Sequence, residues 1–475
     1  MIVRQVEVEA LAPERLEALI GPERAQRFQD TAAAARTFLA GRRVLNVNST
    51  AAGGGVAELL LTLLAYARGV GIDTRWVVID GDRPFFEITK RIHNRLYGAP
   101  GDSGPLGQAE HAVYEQTLHA NRDGLLSLIK PDDIVVLHDP QTAGLAREAR
   151  LAGGIVVWRC HIGRDTPNRY SDEGWEFVRP YIEEADGFVF SRAEFIPPWI
   201  DGARSRVIPP SIDPFSAKNQ DLDQTTVRLI LQYTGLLAGA ANPPTVGFSR
   251  RDGSPGRIDR RADILQTGPP PPPEAPLVVQ VSRWDRMKDM PGVLRGFVDH
   301  LDGTRDAHLC LVGPAVHGVE DDPEAGEVLD ECIQAWQELP ATARSRVHLA
   351  CIPMHDPDEA AIITNALQRH ATVVTQKSVA EGFGLTVTEA MWKGRPVVAS
   401  RIGGIADQIT DHEDGLLIDD PTDLDAFGGA VRLLLEDPDL AARLGEAAHQ
   451  HVEDEYLGDR HLERYAQLFA TLPER

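Results

Sequence analysis

Two glutamates, Glu381 and Glu389, stand eight residues apart around the turn Gly382-Phe383-Gly384, just before a short helical pattern. Two cations, Arg283 and Lys288, sit in the stretch VSRWDRMKD (281–289), directly after an apolar run. A carboxylate accepts paired hydrogen bonds from vicinal hydroxyls, a guanidinium forks onto a phosphate, and an ammonium acts as a point charge. Backbone amides at a helix start hold anions or sugar hydroxyls. Together these groups have the chemistry of a nucleotide-sugar site with a clamp on its diphosphate. A purely structural reading competes: Thr386-x-x-Glu389 fits a capping box, with Thr386 as N-cap and Gly394 just past the helix end. It leaves Glu381 and the Gly-Phe-Gly turn without a task.

Two further groups lie in the first half of the chain. Gly53, Gly54 and Gly55 separate a strand from the helical segment 56–68, where three glycines let the backbone approach a phosphate or sugar closely. The spacing is neither a P-loop nor a dinucleotide fingerprint. His138 and Asp139 end one apolar run (LHDPQ) and His161 ends the next (WRCHIG). A single histidine is more often structural than catalytic, but two on consecutive strand ends are positioned for a ligand. HExxH, GxSxG and Cys/His metal spacings are absent, which excludes zincin and serine-hydrolase chemistry.

The elements that must carry these residues are short, continuous, β-branched runs: 42–48, 74–80, 133–139, 154–162, 187–191 and 206–213, then 277–282, 308–313, 346–351, 371–376 and 395–400. Alternating with helix-length segments, they predict parallel sheets covered on both faces. The fold class expected is α/β, with two doubly wound, Rossmann-like domains facing a cleft and ligands outside the strands' carboxyl ends. The expected boundaries are 1–215 for the first domain, with a helix at about 446–475 packing back on it, 216–276 for a Pro/Gly-rich linker and insertion, and 277–445 for the second. Within 240–275 the Pro and Gly content argues against regular pairing, and five arginines against three aspartates in 249–263 read as a flexible basic loop.

Composition bounds the remainder. With 475 residues, 43% hydrophobic and 25% charged, the chain has the balance of a two-domain soluble protein. The formal net charge of −23 excludes a sequence-blind nucleic-acid binder and an anionic-membrane binder. No run reaches the ~18 apolar residues of a membrane span, and the acidic N-terminus is unlike a signal peptide. Cys160, Cys310, Cys332 and Cys351 form no CxxC pair and read as free thiols of a cytoplasmic protein.

Assembled, the motifs resemble the retaining family-4 glycosyltransferases of the GT-B fold. EGFGLTVTEAMWKGRPVVAS is similar to that family's E-x7-E segment, and SRWDRMKD to its paired Arg and Lys. HDPQ, VWRCHIGRDTPN and PPSIDPFSAKN are similar to its trehalose-forming branch. The resemblance implies roles. Arg283 and Lys288 neutralise the departing diphosphate, and Glu381 binds donor-sugar hydroxyls with the amides of Phe383, Gly384 and Leu385. Glu389 holds the ribose, Gly53–Gly55 approach the donor phosphates, and His161 leans over the donor sugar. His138 and Asp139 serve the acceptor. It also implies small-molecule partners (a nucleoside-diphosphate glucose and a sugar acceptor), allows a homodimer, and needs no cofactor. Mg2+ is allowed but is not required as a protein-bound ligand. Departures lie at Ala380, in DRMKD and in 240–275, and they bear on the acceptor. Other readings are an aminosugar, sugar-phosphate or aglycone acceptor, a catalytically silent nucleotide-sugar sensor, and, most distantly, a nicotinamide oxidoreductase.

Overall fold

The computed structural model describes residues 3–51, 55–239, 244–250, 252–300, 306–316 and 323–473. The chain divides into two compact units, Met1–Ser211 with Tyr456–Arg475, and Ile212–Glu455. Unit 1 holds the strands β1 (Arg4–Val6), β2 (Val44–Asn48), β3 (Thr74–Val78), β4 (Ile134–His138), β5 (Ile155–Cys160), β6 (Gly187–Phe190) and β7 (Ser205–Val207) in one sheet. Their order is β1-β3-β2-β4-β5-β6-β7, parallel except for β1.

The central strands are apolar without interruption because both faces are covered. Leu45, Val47, Val135, Leu137, Val156 and Trp158 enter one core cluster. Their sequence neighbours Val44, Ile134, Val136, Ile155 and Val157 enter another, roofed by Tyr465, Leu468 and Phe469 of the helix Gly458–Phe469. This is the period-2 alternation of a sheet buried on both sides. That helix is tied down by a buried ion pair, Arg24 Nε to Asp459 Oδ2 at 2.5 Å and Nη2 to Oδ1 at 2.8 Å. Only 456–475 of the tail belongs to unit 1; residues up to Glu455 belong to unit 2.

Unit 2 holds a hairpin, β8 (Gly247–Ser249) with β9 (Pro255–Arg257), and a second sheet. The sheet comprises β10 (Asp263–Leu265), β11 (Leu277–Val281), β12 (His308–Pro314), β13 (Val347–Ile352), β14 (Val373–Gln376), β15 (Val397–Ser400) and β16 (Leu416–Ile418). The order is β10-β13-β12-β11-β14-β15-β16, parallel except for β10.

Residues 216–276, expected to be a linker and insertion, are part of unit 2, and regular pairing does occur there. Two arginines of this segment find acids on the helix Pro357–His370 and at its N-cap. Arg250 pairs with Asp356 and Asp358. Arg260 pairs with the buried Glu359, whose carboxylate also accepts from the amides of Asp259 (2.6 Å) and Arg260 (2.8 Å). Among the described residues, Arg250, Arg257 and Arg260 of the basic patch are thus paired with acids of their own unit. Removing a buried acceptor leaves its donors unsatisfied, so Glu359→Ala should lower the unfolding free energy by about 2 kcal/mol in urea titrations.

Candidate active site

In unit 2 the two sequence motifs meet at the carboxyl ends of β11 and β14. Gln280, fully buried in β11, ties them together. Its Nε2 donates to the Lys288 carbonyl at 2.8 Å, and its Oε1 accepts from the Lys377 amide at 3.1 Å. Lys377, itself completely buried, pairs with Asp289. Asp289 adopts a left-handed φ of 45° and caps the helix Met290–Asp299 by accepting from the Gly292 amide at 3.1 Å. Lys288 is thus held from its own carbonyl and from the next residue, and its ammonium pairs with the Glu381 carboxylate. Ser378 Oγ donates to the same Glu381 oxygen at 3.3 Å.

Arg283 takes a different course. It turns to Asp285 of its own loop (3.0 Å) and is 58% exposed. The structure therefore joins Lys288 with Glu381 and leaves Arg283 on a mobile-length side chain beside them in sequence.

The turn after Glu381 is shaped by glycine. Gly384 has φ 87° and serves as the N-cap of the helix Leu385–Trp392. The capping-box expectation is corrected here: Thr386 lies inside the helix, where its hydroxyl donates to Gln376 Oε1 at 3.1 Å. A left-handed glycine at the cap starts the helix two residues earlier than a threonine cap would. Gly384, Leu385 and Thr386 are partly exposed, and the amides of a first helical turn have no intrahelical partner. Phe383 is buried, its carbonyl accepting from Gln408. Glu389 is also buried; one carboxylate oxygen lies 3.4 Å from the Lys218 ammonium.

Behind the turn, Gly404 donates to the Gly382 carbonyl at 2.9 Å. Gly403 has φ 48°, and a Cβ there would lie 1.9 Å from the Glu381 carbonyl oxygen. Gly403→Ala should displace the Glu381 turn. The expected result is at least a tenfold loss of turnover with the far-UV CD spectrum unchanged.

In unit 1, Gly53 and Gly54 lie outside the described residues, while Gly55 opens the helix Gly55–Gly69. The strand-end residues form one cluster. His138 Nδ1 is 3.1 Å from His161 Nε2, and the rings are nearly parallel. His138 Nε2 meets Asn46 Oδ1 at 3.0 Å. His138 is 2% exposed and both ring nitrogens are engaged, so it supports His161; the expected acceptor contact by His138 is corrected accordingly. Burial, then the nearby Arg159 charge, lowers its pKa to about 3. His161 is partly exposed, with a pKa pushed well below the ordinary value by burial and then by Arg159. Both rings are therefore neutral at pH 7.

Asp139 has φ 60° and is partly exposed. Its Oδ1 accepts from the His161 amide at 2.8 Å, and its carbonyl accepts from Trp158 Nε1 at 3.2 Å. Burial raises its pKa to about 6, against the His161 amide and Arg159, which lower it. No group of three or more His, Cys, Asp or Glu side chains arranged to hold a metal occurs among the described residues. No helix among them is long and apolar enough to cross a membrane.

Sequence reading missed Gln280, Lys377, Asp289, Gly403, Asn46 and Arg159. Three of these carried a readable signal. Gln280 in LVVQV, Asn46 in VLNVN and Arg159 in IVVWRC are polar residues inside strands that are mostly apolar, and a buried polar group needs a partner.

Residues 46–197 match the family model described as the trehalose synthase N-terminal domain, and residues 264–451 that of the group 1 glycosyl transferases. The chain is 36% identical over 448 residues to a trehalose synthase of Rubrobacter xylanophilus, covering 91% of each protein. It is 34% identical over 460 residues to a trehalose synthase of Pyrococcus horikoshii, covering 97% of this chain and 96% of that one. Among solved structures, it is similar to an alpha,alpha-trehalose-phosphate synthase (UDP-forming) from Burkholderia xenovorans in complex with glucose-6-phosphate. That match has a TM-score of 0.63 at 14% identity, over 90% of this chain and all of that one. The two Rossmann-like sheets are those of a GT-B glycosyltransferase, and the chain belongs to the trehalose synthase family.

Proposed function

We propose that the protein transfers glucose from a nucleoside-diphosphate glucose to free glucose with retention of configuration, forming trehalose in a direction that can reverse. The observation that carries this reading is the Lys288–Glu381 pair, held by Gln280 and Lys377 beside the exposed first turn of Leu385–Trp392. An ammonium and a carboxylate from two loops are pre-organised where a sugar diphosphate needs both.

In the proposed reaction, unit 2 holds the donor. Glu381 accepts from sugar hydroxyls once Lys288 turns to the phosphates, and Arg283 swings from Asp285 to share the diphosphate charge. The amides of Phe383, Gly384 and Leu385 meet the sugar and phosphates. Glu389 takes the ribose hydroxyls, with Lys218 giving way. As the glycosidic C–O bond breaks, negative charge grows on the leaving diphosphate, and these two cations stabilise it. From unit 1, His161 leans over the donor sugar, Asp139 orients the acceptor glucose, and Gly53–Gly55 approach the phosphates. The acceptor proton passes to a phosphate oxygen of the departing diphosphate, so no carboxylate nucleophile and no protein-bound metal enters the scheme.

Incubating the protein with a panel of nucleotide sugars crossed with glucose, glucose 6-phosphate, aminosugars and inorganic phosphate tests this directly. Release of nucleoside diphosphate with a glucose-plus-glucose product supports it. Turnover only with a phosphorylated acceptor, only with inorganic phosphate, or with none would refute it. Tight donor binding without any release would identify a sensor instead.

A further inference from the structure

Strand parity places Asn46, His138 and Arg159 on the sheet face that carries Val44, Val136 and Val157, the face roofed by the helix Gly458–Phe469. Arg159 is completely buried, and none of its hydrogen bonds is to a carboxylate. Its Nε lies within reach of both His161 ring nitrogens, Nε2 at 3.0 Å and Nδ1 at 3.4 Å, while Nη1 donates to the Tyr465 hydroxyl at 3.1 Å and Nη2 to the Ile208 carbonyl at 3.0 Å. The guanidinium also lies over the Tyr465 ring at 5.7 Å. A buried charge without a counter-charge costs several kcal/mol, so a chain keeps one for what it does to its neighbours.

A guanidinium only donates. His161 must therefore accept from it. The Asn46 side-chain carbonyl oxygen only accepts as well, so His138 Nε2 donates to it at 3.0 Å and His138 Nδ1 accepts from His161 Nε2 at 3.1 Å. The one proton of the His161 ring is thereby on Nε2, and Nδ1, 3.4 Å from Arg159 Nε, is the acceptor toward the guanidinium. We infer that Arg159, anchored by Tyr465 of the C-terminal helix, is a positioning residue that holds His161 neutral in a single tautomer.

The tail 456–475, remote in sequence, is thereby part of the machinery that sets His161. Among the described residues of unit 1, the charged or titratable groups around this ring are His138 and Asp139 at the end of β4, Arg159 and Cys160 in β5, and His461 and Tyr465 from the helix. His461 is itself buried, with Nδ1 on Ser211 Oγ at 3.0 Å. Burial and Arg159 hold it neutral as well.

The inference rests on the proposed contact of His161 with the donor sugar only for its kinetic consequence; the ring's state is read in the free protein. Long-range 1H–15N spectra of 15N-histidine-labelled protein should show His161 as one neutral tautomer that does not titrate between about pH 5 and 8. In Arg159→Met it should titrate within that range or populate both tautomers. Arg159→Lys should restore the wild-type pattern in part. Tyr465→Phe, which removes one oxygen and keeps the packing, should shift the same resonances by a smaller amount, and it decides the matter if Arg159→Met does not fold. In turnover, Arg159→Met should lose at least thirtyfold in kcat with acceptor KM changed less than threefold, and the loss should deepen below pH 6. His161 resonances unmoved in both Arg159→Met and Tyr465→Phe would overturn the inference, whatever the reaction proves to be.

Discussion

Replacing Lys288 with alanine should lower kcat by about three orders of magnitude while donor affinity falls less than tenfold. Removing a charge aimed at a developing charge typically costs 10²–10³ in turnover, and in the proposed reaction Lys288 meets a diphosphate whose charge grows only as the bond breaks. The structure adds a second loss. Glu381 is 10% exposed, and Lys288 is its cationic partner, so the variant leaves a nearly buried carboxylate facing Ser378 alone. Arginine at 288 would keep the charge but place a planar fork in a site shaped for an ammonium, and should recover only part of the rate. Isothermal titration with nucleoside diphosphate, set beside steady-state kinetics, separates the two effects. Equal losses in binding and turnover would mean that Lys288 serves ground-state binding only.

The Asp139→Asn variant should be at least a hundredfold less active and, at neutral pH, more stable. Asp139 ionises in a buried setting that lifts its pKa from 3.8 to about 6. The folded state therefore favours its protonated form more than the unfolded chain does. The resulting destabilisation is absent below about pH 4, grows as pH rises, and is complete above about pH 6, where two pKa units correspond to about 3 kcal/mol. Asparagine tolerates the left-handed φ of 60° and keeps an oxygen for the His161 amide. Thermal melts at pH 7.5 should place Asp139→Asn above the parent chain, with the gain vanishing near pH 4. Acceptor kcat/KM of the parent should rise through about pH 6, and the variant should lose that limb. A carboxylate retained at a stability penalty is what a substrate-orienting role requires.

The parts of this molecule legible in the sequence are those governed by long-range burial. Continuous runs such as IVVLH and IVVWRC are apolar because both faces of a parallel sheet are covered, and two doubly wound domains follow from their alternation with helices. Three-residue elements escaped. RQV and LLI carry no period, and the hairpin and edge strand inside 240–275 form because Arg250 and Arg260 reach acids a hundred residues away.

At the site, the residues that would touch substrate were visible from their types and spacing. Those that hold them were not, because Gln280, Lys377 and Asp289 act through contacts between separate loops. His138 was misjudged for a related reason. A strand-end histidine looks alike whether it faces solvent or a neighbouring strand, and only the Asn46 contact reveals which. The interrupted strands LVVQV, VLNVN and IVVWRC held the missing information: a polar residue inside an apolar strand marks where a buried network is anchored.

The central claim concerns which bond forms, and one spectrum addresses it most directly. The protein, a nucleoside-diphosphate glucose and 13C-labelled glucose are mixed and followed by NMR. The account predicts a non-reducing disaccharide with the label in one ring, both anomeric carbons in the α configuration, and one nucleoside diphosphate released per product. A product with a β linkage, a free reducing end, or no label incorporated would contradict it.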